Sequence, residues 1–175
     1  IPFLVDPAAT EKGLLRAHLA KANDQLAALR QGAEVMVLFQ GPDAYVTPSW
    51  YATKRETGKV VPTWNYATVH AWGTPRVIDD ETWLRDQTGD LTLSQEAGRD
   101  HPWGVEDAPA DFLAGQIKGI VGLEIPIARI EGKWKVSQNR SVADRQGVID
   151  GLRQEAPEKG DMADIVEQRS DISRD

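Results

Sequence analysis

Apolar and polar positions change period along this chain, and each change marks an element. Val121, Leu123, Ile125 and Ile127 alternate strictly with their neighbours, the pattern of a strand with one apolar face. Val35 to Phe39 is instead a continuous apolar run closed by Gly41-Pro42, which predicts a buried central strand. Ile1 to Val5 and Leu14 to His18 flank a turn containing Pro and Gly, Asp6 to Gly13, and predict a hairpin. Ala44 to Tyr51 alternates as a further strand. Lys54 to Lys59 reads as a polar turn with Gly58, and Val60 to Trp72 returns as a strand, with a break over Pro62 to Tyr66 that would aim Trp64 and Asn65 at a pocket. Gly73 and Pro75 interrupt the chain before Arg76-Val77-Ile78.

Helical spacing enters late. Lys21 to Leu29 predicts one short helix, and Asp79 or Asp80 can cap another through Trp83 and Leu84. Thr88 to Pro102 shows no period and is expected to be irregular. Asp107, Pro109 and Asp111 signal a start for Pro109 to Ile120, with Phe112, Leu113, Ile117 and Ile120 as its buried face. Glu131-Gly132-Lys133 is expected to turn the chain into Trp134 to Ser137. Ser141 with Asp144 three residues on resembles a capping box and opens a helix over Val142 to Leu152. Asp161 to Arg169 predicts a terminal helix beyond Pro157 and Gly160. Strands dominate and helices are peripheral, so the fold class is mainly β, a small barrel or strongly bent sheet. Residues 1–152 are expected to form the barrel domain and 153–175 a C-terminal helical tail.

Composition narrows the function. The 175 residues have the length of one domain, 41% hydrophobic and 27% charged. No apolar run approaches the ~20 residues needed to cross a bilayer, so no membrane association is expected. There is no cysteine, which removes thiolate nucleophiles, disulfides and Cys-based metal sites and is compatible with the cytoplasm. A net charge of −7 repels nucleic acid, so direct DNA binding would need a local basic patch acting against that field. The chain opens on Ile1 with a strand already under way, and a preceding N-terminal segment is expected.

No Walker loop, GxGxxG or GxSxG motif occurs, and His18, His70 and His101 lie too far apart for a paired metal site. No catalytic acid or base can be named; His70 is the least unsuited, and a structural role fits it better. Three polar-aromatic clusters carry more information. They are Pro48-Ser49-Trp50-Tyr51 with Lys54, Thr63-Trp64-Asn65-Tyr66, and Lys133 to Arg140 with Trp134, Lys135, Ser137, Gln138 and Asn139. Cations and hydroxyls for a phosphate, flat aromatic faces and amides that donate and accept are what a flavin mononucleotide requires. The same residues would also serve a subunit interface.

Several motifs together, HLAKAN (His18 to Asn23), LFQGPDAYVTPSWYATK (Leu38 to Lys54), GKVVPTWNYATVHAWG (Gly58 to Gly73), EDAP (Glu106 to Pro109), IVGLEI (Ile120 to Ile125) and GKWKVSQNR (Gly132 to Arg140), resemble the PaiB-type family of FMN-binding negative transcriptional regulators. The resemblance runs from Ile1 to about Leu152. It implies an FMN-binding split β-barrel like that of pyridoxamine-phosphate oxidases, a homodimer with flavin at the subunit interface. By that analogy Arg16, His18 and Lys21 lie where phosphate and ribityl contacts fall, and Trp64-Asn65-Tyr66 and Trp134 to Asn139 complete the pocket. A flavin-dependent oxidoreductase acting on a small molecule and a haem-binding split barrel are the alternatives. No helix-turn-helix accompanies the regulatory description.

Overall fold

In chain order the elements are β1 (Leu4–Asp6), β2 (Leu14–Ala20), α1 (Leu26–Arg30), β3 (Val35–Val46), α2 (Ala52–Thr57), β4 (Thr63–Gly73), β5 (Arg76–Ile78), α3 (Glu81–Glu96), α4 (Ala110–Lys118), β6 (Ile120–Pro126), β7 (Arg129–Lys135), α5 (Val142–Glu155) and α6 (Gly160–Asp171). Short 3-10 turns cover Pro48–Trp50, Val105–Asp107 and Pro157–Lys159. This computed structural model describes residues 1–171. Four strands pair in the order β1-β2-β6-β5 and three in the order β3-β4-β7. The chain forms two units, Ile1–Val37 with Ala71–Ile130, and Leu38–His70 with Glu131–Asp175. Among the described residues no helix is long and apolar enough to cross a membrane.

The first unit is built on the antiparallel β2–β6 pair, in register from Leu14↔Pro126 to Ala20↔Ile120. Alternation splits its two faces. Leu15, Ala17, Leu19, Val121, Leu123 and Ile125 are buried on one side. Arg16, His18 and Glu124 take the other, toward α3: Trp83 Nε1 donates to Glu124 Oε1 (3.0 Å), and Arg16 Nη2 to Asp90 Oδ2 (2.8 Å). The expected irregular stretch from Thr88 is therefore corrected, because α3 continues to Glu96. Asp80 caps it by accepting from Trp83 N (2.8 Å), and Leu84 and Gln87 are buried along it. Within the helix the Thr88 hydroxyl donates back to the Leu84 and Arg85 carbonyls. Helix α4 buries Ile117, whereas Phe112, expected on its buried face, is 58% exposed. Helix α1 begins later than expected, at Leu26.

In the second unit β3 passes through Gly41-Pro42 instead of ending there, and it is no buried strand: Leu38 is 52% exposed. Exposure falls on Leu38 and Gln40 but then on Tyr45, with Ala44 and Val46 buried, so the facing parity shifts by one across Gly41-Pro42. The strand expected over Ala44 to Tyr51 stops at Val46, where Thr47 accepts from Ser49 N and opens the 3-10 turn. The expected turn after Lys54 is helix α2, closed by Gly58 at φ +67° with its N–H on the Lys54 carbonyl. Glu131-Gly132-Lys133 does not turn the chain but lies inside β7. The residues expected as a tail form α6, and its Met162, Ala163 and Val166 are fully buried with Tyr51, Val136, Val148 and Leu152.

Candidate functional site

Strand β4 is regular from Thr63 onward, so the expected break over Pro62 to Tyr66 is absent and successive side chains alternate. Trp64 and Asn65 consequently point to opposite faces and cannot aim at one pocket. Trp64 is 51% exposed and Asn65 fully buried. The exposed indole is nevertheless fixed. Its Nε1 donates to Asp43 Oδ1 (3.1 Å), and Tyr45, itself half-exposed, meets it edge-on with ring centroids 6.1 Å apart. Asp43 is held in turn by Gln40 Nε2 (3.1 Å) and lies 3.7 Å from the Lys159 ammonium.

On the opposite face the Asn65 amide meets the Ser137 hydroxyl, with Nδ2 3.0 Å and Oδ1 3.2 Å from Oγ. Ser137 is buried and has φ +61°, the left-handed region that non-glycine residues seldom adopt. Neighbouring residues hold that conformation. Gln138 Oε1 accepts from Val136 N (2.7 Å) while its Nε2 donates to the Trp134 carbonyl (2.7 Å), and Arg140 N donates to the Ser137 carbonyl (2.9 Å). Buried Arg145 reaches the same loop, Nη1 donating to the Arg140 carbonyl (3.1 Å). The loop between β7 and α5 is thus clamped from both ends. Asn139 is exposed at its tip.

Beneath the loop, Ser141 caps α5 as expected by accepting from Asp144 N (3.2 Å). The Asp144 carboxylate, instead of returning to the cap, accepts from Thr53 N (2.9 Å) and Thr53 Oγ1 (2.9 Å). Burial alone would raise its pKa; the Thr53 and Ser141 hydrogen bonds and the Arg140 charge outweigh that and hold it below the usual carboxylate range. Arg140 also lies over the Tyr51 ring, 4.7 Å from its centroid. Asp43, Thr53, Asp144 and Arg145 were not expected at the site. The Ser141–Asp144 spacing was the one local signal, and the partners across the unit left none.

The remaining expected residues of this unit group around two lysines. Lys135 Nζ contacts Thr63 Oγ1 and donates to the Trp64 carbonyl (2.7 Å). Exposed Lys54 donates to Ser49 Oγ (3.0 Å), a neutral partner. Tyr66 is partly buried on β4. Trp134 is 39% exposed with the Arg169 guanidinium 4.3 Å above its ring. Lys54 and Trp134 are each held by a neighbour yet exposed, which leaves a cation and an aromatic face able to meet a ligand without reordering.

Arg16, His18 and Lys21 lie in the first unit. Arg16 already has Asp90 as counter-ion, and Lys21 Nζ donates to the Lys118 carbonyl (2.8 Å), a neutral acceptor. His18 is half-buried among apolar side chains, its Nδ1 makes no hydrogen bond, and burial lowers its pKa from 6.5.

Comparisons with known proteins agree with this chemistry. A family model described as "Putative FMN-binding domain" matches residues 1–129. "Uncharacterized protein AN0679" of Emericella nidulans is 39% identical over 204 residues, 98% of this chain and 81% of that protein. Protease synthase and sporulation protein PAI 2 of Bacillus subtilis is 33% identical over 153 residues, 87% of this chain and 71% of that protein. Among solved structures, the FAD and heme binding protein from Mycobacterium smegmatis superposes with a TM-score of 0.50 at 19% identity, over 77% of this chain and 58% of that one. That last likeness is one of fold, mainly β with peripheral helices, the split barrel expected from the sequence. The chain belongs to the PaiB-type family of FMN-binding domains.

Proposed function

We propose that the chain holds FMN as a homodimer and acts as a flavin-dependent negative regulator of transcription. The observation that carries the reading is Trp64, an indole pinned by Asp43 and Tyr45 yet half-exposed, with the Lys135–Thr63 contact at the start of the same strand. A surface tryptophan fixed by a hydrogen bond contributes a flat face to a ring or a subunit at little entropic cost. The donor set fits FMN. Lys54 with Ser49 offers an ammonium group whose present partner is neutral and can yield to a phosphate. Exposed Asn139 at the loop's tip offers an amide to a polar ring edge, while the Gln138 amide and the buried Asn65–Ser137 pair position that loop rather than touching the ligand. When bound, FMN supplies reversible hydride and electron transfer; the protein supplies binding, orientation and exclusion of water.

Dimerisation is supported by Leu38, Tyr45, Val61 and Trp64, large apolar side chains each about half-exposed or more on or next to strands β3 and β4. A regulatory role acting through the flavin-bound dimer rather than through direct DNA contact suits the net charge of −7. Titrating the purified chain with FMN while following flavin fluorescence, together with sedimentation, tests the reading. Saturable quenching by a dimer is expected, and a monomer that leaves flavin emission unchanged refutes it. Rapid bleaching of the bound flavin by a reduced nicotinamide would favour the oxidoreductase, and a haem spectrum the haem protein.

A further inference from the structure

The first unit contains a cavity of about 320 Å³ bounded by β2, the end of α3, the 103–108 segment and α4. Its walls are Leu91, Val105, Leu113, Ile117, Trp103 and Phe112, and His18 is the titratable group that reaches it. The volume lies at the small end of the roughly 300–1,000 Å³ typical of small-molecule pockets. Two features distinguish it from a packing gap. The His18 Nδ1 is buried with no hydrogen-bond partner, a costly state for a polar atom unless something completes it. Trp103 and Phe112 are 48% and 58% exposed although they belong to the lining, so two large aromatic rings stand at the cavity with part of their surface uncovered.

A third feature comes from α3. Gln87 is fully buried, and neither its amide nitrogen nor its amide oxygen has a partner. It stands one turn after Trp83, which bonds to Glu124, and one turn before Asp90, which bonds to Arg16. Gln87 therefore lies on the same face of α3 as the two residues that bond to the Arg16↔Glu124 pair of β2 and β6. The outer face of this sheet gathers more buried polar capacity than its own residues satisfy.

We propose that this cavity binds a small uncharged aromatic molecule, one or two rings bearing a single hydroxyl or amide that hydrogen-bonds to His18 Nδ1. Charge selects the class. No lysine, arginine or carboxylate lines the cavity, so a charged ligand finds no counter-ion there; in the adjoining cleft Asp90 is paired with Arg16, and Asp86 and Glu106 stand beside a single cation, Arg85. The apolar walls take the ring, Trp103 and Phe112 pack against it from the open side, and the imidazole accepts or donates one hydrogen bond according to tautomer. The site lies wholly within the first unit, and its argument does not depend on where flavin binds.

Isothermal titration of the chain with 2-naphthol, and with naphthalene as the analogue lacking the hydroxyl, tests this. One molecule of 2-naphthol per chain is expected, bound roughly tenfold more tightly than naphthalene, the worth of one good hydrogen bond. His18→Phe should erase that preference while naphthalene still binds. Leu113→Trp should abolish both. Phe112→Glu, at an exposed position where folding is not at stake, should weaken both by placing a charge at the opening. Absence of saturable binding to the parent chain, or equal affinities in the parent and all three variants, overturns the proposal. So does displacement of 2-naphthol by FMN, which would make the cavity part of a flavin site.

Discussion

Asn65 and Ser137 are 72 positions apart in sequence and share one hydroxyl–amide contact in the interior of the second unit, at 3.0 and 3.2 Å. The contact joins β4 to the left-handed Ser137 at the head of the loop carrying Gln138 and Asn139. Removing either partner leaves a buried polar group unsatisfied, at about 1–3 kcal/mol. Asn65→Ala should lower the unfolding free energy read from urea denaturation by that amount, and so should Ser137→Ala. The double variant should cost less than the two together, because neither orphan remains. Additive losses would show that the two residues act independently.

Lys54 and Lys135 differ in what surrounds them, and their variants should separate binding from folding. Lys54 is exposed and touches only a hydroxyl, so Lys54→Ala should leave thermal stability within about 0.5 kcal/mol. The same change should weaken FMN binding roughly tenfold, by loss of one charge-assisted contact. Lys135 also ties β7 to Thr63 and to the Trp64 carbonyl, so Lys135→Ala should reduce both stability and FMN affinity. Fluorescence titration and calorimetry on both variants decide it. Unchanged FMN affinity in both would remove these lysines from the site.

The fold was legible where a period is local. Val121 to Ile127 alternate as a strand and are buried as one, and Asp80 and Ser141 cap the helices their spacing announced. It was illegible where tertiary contacts override composition. Helix α3 runs on through Thr88 to Glu96, Gly41-Pro42 shifts the parity of β3 without ending it, and Met36 and Leu38 read as core yet are half-exposed. Of the residues singled out for the site, Lys135 contacts Thr63 and Trp64, and Ser137 contacts Asn65, all in one unit. What could not be read was the facing: a polar residue between two aromatics is equally consistent with a ligand contact and with a buried clasp. The partner that decides between them is 72 positions away.

Trp50 and Gly151 illustrate a constraint of space rather than of hydrogen bonding. A Cβ added at Gly151 would lie 2.3 Å from the Trp50 ring, far inside van der Waals contact. Helix α5 approaches the 3-10 turn at Pro48–Trp50 this closely only because the position has no side chain. Gly151→Ala should therefore destabilise the second unit by about 1–3 kcal/mol despite the better helix propensity of Ala. Chemical denaturation reads it, and a neutral or stabilising result would mean that the ring can move aside.

Two groups should make stability depend on pH in separate windows. His18 is pushed below its ordinary 6.5 by burial, so the unfolded chain takes up a proton that the folded chain refuses. Its contribution is complete above pH 6.5 and declines as pH falls from there toward the folded pKa. Asp144 works lower. Burial opposes its ionisation, but the hydrogen bonds from Thr53 and Ser141 prevail and hold its folded pKa under 3.8. Its stabilisation is complete above pH 3.8 and is lost as pH falls from that value through the folded pKa. Urea midpoints measured from pH 8 to pH 3 should thus decline first below about pH 6.5, the ordinary value for His, and again at the acid end. His18→Phe should flatten the first decline and leave the second. Asp144→Asn, which keeps an acceptor for Thr53 N, should flatten the second and leave the first. If His18→Phe leaves the upper decline unchanged, another group titrates there, and burial does not hold the imidazole below its ordinary value.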